Sequence, residues 1–300
     1  MMQHASEFVA MILTHGRPDR VATYDTLRKY GYTGRIVLVV DDEDATRWEY
    51  IEKFGEENVV TFSKREAAEY TDDGDNFKTY RGVIYARNAS FEIAKGLGFR
   101  YFIQLDDDYT GFYYRLDKQR KYGVFPIRSL DNLFDWLVDF LAETPFLSVA
   151  ISRGGDHIGG GAGTQNSKIG TRRKAMNTFV CDVQRPFRFF GRINEDTTTT
   201  TELQRRGGLF LTFQAAQVNQ RQTQSNAGGM TELYLDSGTY VKSFYSVMYA
   251  PSCVVVAPLR DPRAGADYDG GQRPARIHHR IRWDCAAPMI LPESVRKPLA

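Results

Sequence analysis

Three carboxylates in a row, Asp106-Asp107-Asp108, are the part of this chain with the clearest chemistry. In an extended segment, side chains two apart point to the same side. Asp106 and Asp108 are therefore expected to face one ligand and Asp107 to face away. Two carboxylates aimed together repel unless a cation lies near them. Hard oxygen ligands suit Mg2+ or Mn2+, which can in turn bridge a diphosphate. An acidic turn in solvent would have the same letters, but Phe102-Ile103-Gln104-Leu105 puts the run at the end of a buried strand. A second acidic pair, Glu195-Asp196, follows Asn194 and opens a predicted helix. Acids there either cap the helix or supply a general base that deprotonates an acceptor hydroxyl. His278-His279 is either a surface pair in a basic segment or the source of an imidazole that completes a metal shell.

The elements that would position these groups alternate in type. Phe8 to Leu13, Ile36 to Val40, Val59 to Phe62 and Tyr101 to Leu105 are short apolar runs that read as strands. Asp19 to Tyr30 and Thr79 to Leu97 read as helices, closed by Gly31 and by Gly96 and Gly98. Alternation of this kind implies an α/β fold with a mostly parallel central sheet flanked by helices. Ligands of such sheets sit at the carboxyl ends of the strands. The polar clusters at 14–17, 41–42 and 106–108 each follow a predicted strand, so they are expected to meet at one rim. Further on, Leu130 to Leu141 reads as a helix, Phe146 to Ile151 and Val254 to Val256 as strands, and the glycine-rich 154–163 as a loop. Gln214 to Asn226 is rich in Gln and Asn, and Phe187 to Phe190 reads either as a buried segment or as rings that stack on a displaced base.

The composition, 42% hydrophobic and 25% charged over 300 residues, is that of a globular protein and excludes disorder or coiled coil for the whole chain. No apolar run reaches the roughly 18 residues of a membrane helix, so no membrane contact is expected. Three cysteines without CxxC spacing argue against a disulfide scaffold and fit a reducing cytoplasm. The formal charge of +2 hides an asymmetry: residues 1–150 carry 19 Lys/Arg against 25 Asp/Glu, and residues 151–300 carry 20 against 12. An acidic half suits a metal site and a basic half an anionic partner. With no repeat and no linker, one composite domain over 1–300 is expected, 1–150 forming a nucleotide-sugar and metal half and 151–300 an acceptor half.

A strand ending in Asp41, a strand ending in Asp106-x-Asp108, a later Glu195-Asp196 and a C-terminal His together resemble the GT-A, Rossmann-like glycosyltransferases. The stretch NEDTTTTTELQRRGGLFLT, then QTQSNAGGMTELY, GTYVKSFYSVMYAPS and RIHHRIRWD, narrows the resemblance to the TET-associated glycosyltransferases of bacteriophages. The resemblance implies a metal-dependent, inverting transfer from a UDP-sugar to the hydroxymethyl group of 5-hydroxymethylcytosine or a related base in DNA, in a host cytoplasm. Carried over by position, it implies that Thr14, His15, Arg17, Asp41, Arg87, Asp106 and Asp107 bind the donor. Asp108 and His279 (or His278) would hold Mn2+ or Mg2+, and Asp196 would be the base, with Glu195 helping to hold the acceptor. Arg172-Arg173-Lys174 and Arg221 are expected to contact DNA phosphates, and Gln217, Asn219, Gln220, Gln222 and Gln224 base edges or sugars. Three other readings stay open: a GT-A enzyme acting on a glycan or small molecule, a sugar nucleotidyltransferase, and a non-enzymatic DNA-binding accessory protein. Thr14-His15-Gly16-Arg17-Pro18 is a poor version of the nucleotidyltransferase phosphate loop.

Overall fold

The computed structural model describes residues 2–116, 123–157, 170–221, 241–258 and 277–287. Four N-terminal strands, β1 (Phe8–Leu13), β2 (Arg35–Asp41), β3 (Val59–Phe62) and β4 (Tyr101–Asp106), pair in parallel in the order β3-β2-β1-β4. All six residues of β1 are buried, as an unbroken FVAMIL run requires when helices cover both faces of a parallel sheet. The same sheet continues through β8 (Phe179–Asp182), β7 (Phe146–Arg153), β9 (Leu209–Gln220), β5 (Tyr109–Leu116) and β6 (Gly123–Pro126). Following the pairings across, only β5 and β8 run against the other seven strands. The mostly parallel sheet expected from the alternation is therefore present, with one reversed strand inserted beside β4.

Helices α1 (Ala22–Lys29), α2 (Arg47–Phe54) and α5 (Leu130–Glu143) lie on one face, over a core that includes Phe8, Ile12, Leu38, Leu105, Leu133 and Phe134. On the other face, α3 (Lys64–Glu69) and α4 (Ile84–Gly96) cover Val9, Met11, Val39, Phe102 and Phe179. Phe187 and Phe189 join that second core and are buried, so this aromatic run packs inside the protein as expected. Helix α6 (Glu195–Gln204) follows, then α7 (Val241–Tyr249), a separate hairpin of β10 (Val254–Pro258) and β11 (Ile277–Ile281), and α8 (Trp283–Ala286).

Two helices begin later than their periodicity suggests. Pro18–Arg20 forms a 3-10 turn, and Val21 leaves the helical region with φ −79° and ψ 67° before α1 starts. Helix α4 starts at Ile84, because the carbonyls of Thr79 and Arg81 accept hydrogen bonds from Arg192 and Gly82 has φ +123°. Of the glycine-rich segment, Gly154–His157 is a 3-10 turn and 158–163 lies outside the described residues. Gln222 and Gln224 also lie outside them. Among the described residues no helix is long and apolar enough to cross a membrane.

Candidate active site

Seven co-directed strands bring their carboxyl ends to one rim, and the acidic run lies there. Strand β4 stops at Asp106, and Asp107-Asp108 forms the turn into β5. The alternation expected of an extended segment therefore does not apply beyond Asp106. Helix α1 holds the turn by its backbone: Thr23 Oγ1 donates to Asp106 O (2.6 Å), Thr23 N to Asp107 O (3.1 Å) and Thr26 Oγ1 to Tyr109 O (2.9 Å). Tyr109 N donates back to Thr23 Oγ1 (2.9 Å). These two threonines, one turn apart on a helix face, fix the direction of each aspartate.

Asp107 is not turned to solvent. It is 3% exposed and accepts from Thr14 Oγ1 (2.8 Å), with Arg17 Nη2 at 3.2 Å. Asp106 accepts from Asn177 Nδ2 (2.9 Å) and Gln220 Nε2 (3.4 Å) and pairs with Arg87 Nη2 (3.3 Å). Asp108 differs from both: its Oδ1 is buried with no partner among the described residues. Burial, then the charges of Asp106 and Asp107, push its carboxyl up to about 6. Burial raises Asp106 and Asp107 as well, against the opposing pull of Arg87 on the first and Arg17 on the second.

The loop after β1 is braced from two sides. Tyr50 Oη of α2 lies 3.0 Å from Thr14 Oγ1 and accepts from Arg17 N (2.7 Å). His15 Nδ1 lies 2.7 Å from Asp41 Oδ2, and Lys64 Nζ lies 2.9 Å from Asp41 Oδ1. Asp44 Oδ2 receives Gly16 N (2.6 Å). The hydrogen bond to Asp41 lifts the His15 pKa against burial. Burial works to raise Asp41, but His15 and Lys64 outweigh it and hold the carboxyl below its usual range.

Arg87 joins the two acidic motifs. Its side chain is 2% exposed, donates from Nε to Glu195 Oε1 (2.8 Å) and from Nη2 to Asp106, and lies over the rings of Phe179 (5.3 Å) and Phe189 (5.7 Å). Burial alone would lower its pKa; Glu195 and Asp106 reverse that and hold it charged. Burial raises Glu195 to about 7 despite Arg87. The N-cap Asn194 makes no side-chain cap hydrogen bond, while Asp196, 9% exposed, lies in the first turn of α6 and accepts from Thr197 N (2.6 Å). Its charge also reaches Asp106, Arg87 and Lys174, which places it in the same electrostatic site.

The C-terminal histidine and the basic row are arranged differently from expectation. His279, 4% exposed on β11, meets Lys174 Nζ through Nε2, and its Nδ1 is buried without a partner among the described residues. Burial, then Lys174, pull its pKa down to about 3. Among the described residues no three His, Cys, Asp or Glu side chains gather as a metal cage. Arg172-Arg173-Lys174 is not an open basic row: Arg172 pairs with Asp284 (3.0 Å), Arg173 is buried against Asp156 O (3.0 Å), and Lys174 is taken by His279. Arg221 is exposed, and its N–H reaches Asp108 O (3.3 Å).

Several site residues escape the sequence reading. Asn177 sits at φ 65°, which Asn tolerates better than most residues. It bridges Asp106 to Gln220 Oε1 (2.8 Å), which also receives Arg153 Nη2 (2.7 Å). Lone Asn and Arg residues such as Asn177 and Arg153 have no spacing signal; only the rule that strand ends meet at the rim could have found them.

A sheet rim with clustered acids and buried arginines belongs to the α/β enzymes that bind ligands at strand carboxyl ends. The family model of the TET-Associated Glycosyltransferases matches residues 8–229, and the chain belongs to that family. The protein is a glycosyltransferase. No curated protein matches it. Glucosyl-3-phosphoglycerate synthase from Mycobacterium tuberculosis, solved with Mg2+ and UDP, is similar over 85% of this chain and 84% of its own, at 11% identity and TM-score 0.47. S. aureus TarS 1–349, solved with UDP-GlcNAc, is similar over 80% of this chain and 66% of its own, at 13% identity and TM-score 0.42.

Proposed function

We propose that this glycosyltransferase moves a sugar from a UDP-sugar to the hydroxymethyl group of 5-hydroxymethylcytosine, or a related 5-hydroxymethylpyrimidine, in DNA, with inversion at the anomeric carbon. The observation that carries the reading is the family match, which spans both the Asp106–Asp108 run and Glu195-Asp196. A divalent cation, Mn2+ or Mg2+, fits at Asp108, whose buried Oδ1 has no partner among the described residues while both neighbouring carboxylates are engaged. The chemistry such a cation supplies is neutralisation of the leaving diphosphate. We assign it to Asp108 alone among the described residues and leave His279 with Lys174.

Asp196 takes the proton of the acceptor hydroxyl as that oxygen attacks the anomeric carbon from the face opposite the diphosphate. Glu195, held by Arg87, fixes the start of α6 and so the direction of Asp196. Thr14, His15, Arg17 and Asp41 form the donor side of the rim. Asp107 acts through Arg17 and Thr14 rather than on the ligand. Asp108→Asn is expected to abolish both donor hydrolysis and transfer. Asp196→Asn is expected to keep Mn2+-dependent UDP binding while transfer falls by about 10² or more. Equal UDP binding in wild type and Asp108→Asn would contradict the metal assignment.

A glycan or small-molecule acceptor is the second reading. The observation that favours it is the inward turn of Arg173 and Lys174, which removes a basic row expected to contact DNA.

A further inference from the structure

The loop from Asp72 to Val83, between α3 and α4, is clamped by one buried side chain. Arg192 is 0% exposed. Its guanidinium donates to Asp73 (2.7 Å), to both oxygens of Asp75 (2.8 and 3.0 Å), and to the carbonyls of Thr79 (2.6 Å) and Arg81 (2.7 Å). Gly191 N and Arg192 N reach back to Asp72 O (2.9 Å) and Asp73 O (2.8 Å). Tyr85 and Tyr245 donate to Asp73 and Asp75. At Gly82, where φ is +123°, an added Cβ would meet Arg192 O at 3.3 Å. The loop is thus ordered before any ligand arrives, so binding need not supply that entropy.

What the clamp displays is unusual for a loop so well tied. Residues 76–81, Asn-Phe-Lys-Thr-Tyr-Arg, are all exposed, with Phe77 at 44% and Tyr80 at 37%. Two aromatic rings alternate with basic and polar side chains instead of forming a continuous apolar patch. That pattern fits stacking on bases beside a charged backbone, not a protein interface with an apolar centre. The clamp residue also stands two positions before Asn194, so the loop is tied to the segment that presents Glu195 and Asp196.

We infer that this loop is the enzyme's nucleobase platform: Phe77 and Tyr80 stack on bases at or beside the acceptor, and Lys78 contacts the phosphate backbone. The inference rests on the DNA reading above. It also supplies a DNA contact in place of the inward-turned Arg173 and Lys174.

The test is fluorescence anisotropy with labelled oligonucleotides containing 5-hydroxymethylcytosine, single-stranded and duplex, over a salt series. Proteins are the wild type, Phe77→Ala, Phe77→Leu, Tyr80→Ala and Lys78→Ala, with the thermal unfolding midpoint measured for each. Removing either ring is expected to weaken single-strand binding about fivefold or more with an unchanged salt slope. Phe77→Leu, which keeps apolar bulk but loses the ring, is expected to behave like Phe77→Ala. Lys78→Ala is expected to lower the salt slope by about one. Wild-type binding with all four variants unchanged would overturn the platform and leave the DNA reading standing. A wild type that binds no DNA would overturn the DNA reading and the platform with it. Ring variants that dissociate a dimer while binding DNA like wild type would assign the loop to self-association and overturn the platform.

Discussion

Asp106 shares its carboxylate with Arg87, Asn177 and Gln220, and Asp107 shares its own with Thr14 and Arg17, while Asp108 keeps one buried oxygen unpaired among the described residues. Three identical side chains in sequence thus have three environments. Asp107→Asn is expected to act on folding first, costing about 1–3 kcal/mol through a weakened buried hydrogen bond and an Arg17 left without its carboxylate; urea denaturation measures it. The acidic run is legible in the sequence because three consecutive acids directly follow the apolar run Tyr101 to Leu105. Asn177 is not, since an amide at a strand end looks like any surface amide until the sheet is assembled; Gln220, expected at base edges or sugars, is turned onto Asp106 and Asn177 instead. The His15–Asp41 pair gives a pH-dependent term. The folded His15 pKa is raised above 6.5, so its stabilisation is complete below pH 6.5 and is lost as pH rises through the raised value. Denaturation of wild type and His15→Ala from pH 5 to 9 should show a difference that shrinks with rising pH.

At the scale of elements, α1 positions the acidic turn through two hydroxyls, and α6 is a helix of threonines turned inward. Thr197 to Thr201 are each at most 1% exposed. Thr200 and Thr201 satisfy their hydroxyls on carbonyls one turn back (both 2.8 Å), and Thr199 Oγ1 accepts Phe190 N (2.9 Å). The threonine run offers no apolar stripe, so its burial cannot be read from periodicity. Thr23→Val keeps the shape of α1 but leaves Tyr109 N without its acceptor. We expect about 1–3 kcal/mol of destabilisation and lower transfer from a displaced Asp106–Asp108 turn, with Thr23→Ser restoring both. Arg192→Ala leaves Asp73 and Asp75 without their cation and should cost about 3–5 kcal/mol, read as a lowered unfolding midpoint.

Across the whole molecule, the direction of the strands does the assembling. Because seven strands point one way, loops separated by up to about 200 residues in the chain, from Thr14 to Gln220, meet at one rim. The N-terminal strands are legible as apolar runs, since a strand buried on both faces has no polar alternation to confuse it. The reversed β8 and the entry of β5 directly from the acidic turn are not, because pairing partners depend on contacts across the chain. The charge asymmetry is legible but its use is not: the basic half spends Arg173, Lys174 and Arg192 on internal partners. Transfer to hydroxymethylated DNA is read by nucleoside mass spectrometry. The protein is incubated with Mn2+, a panel of UDP-sugars and duplex DNA containing either cytosine or 5-hydroxymethylcytosine. A mass gain of one sugar is expected on the hydroxymethylated base only, absent with Asp108→Asn. Hydrolysis of a UDP-sugar with no mass gain on either DNA would contradict transfer to DNA and move the acceptor elsewhere.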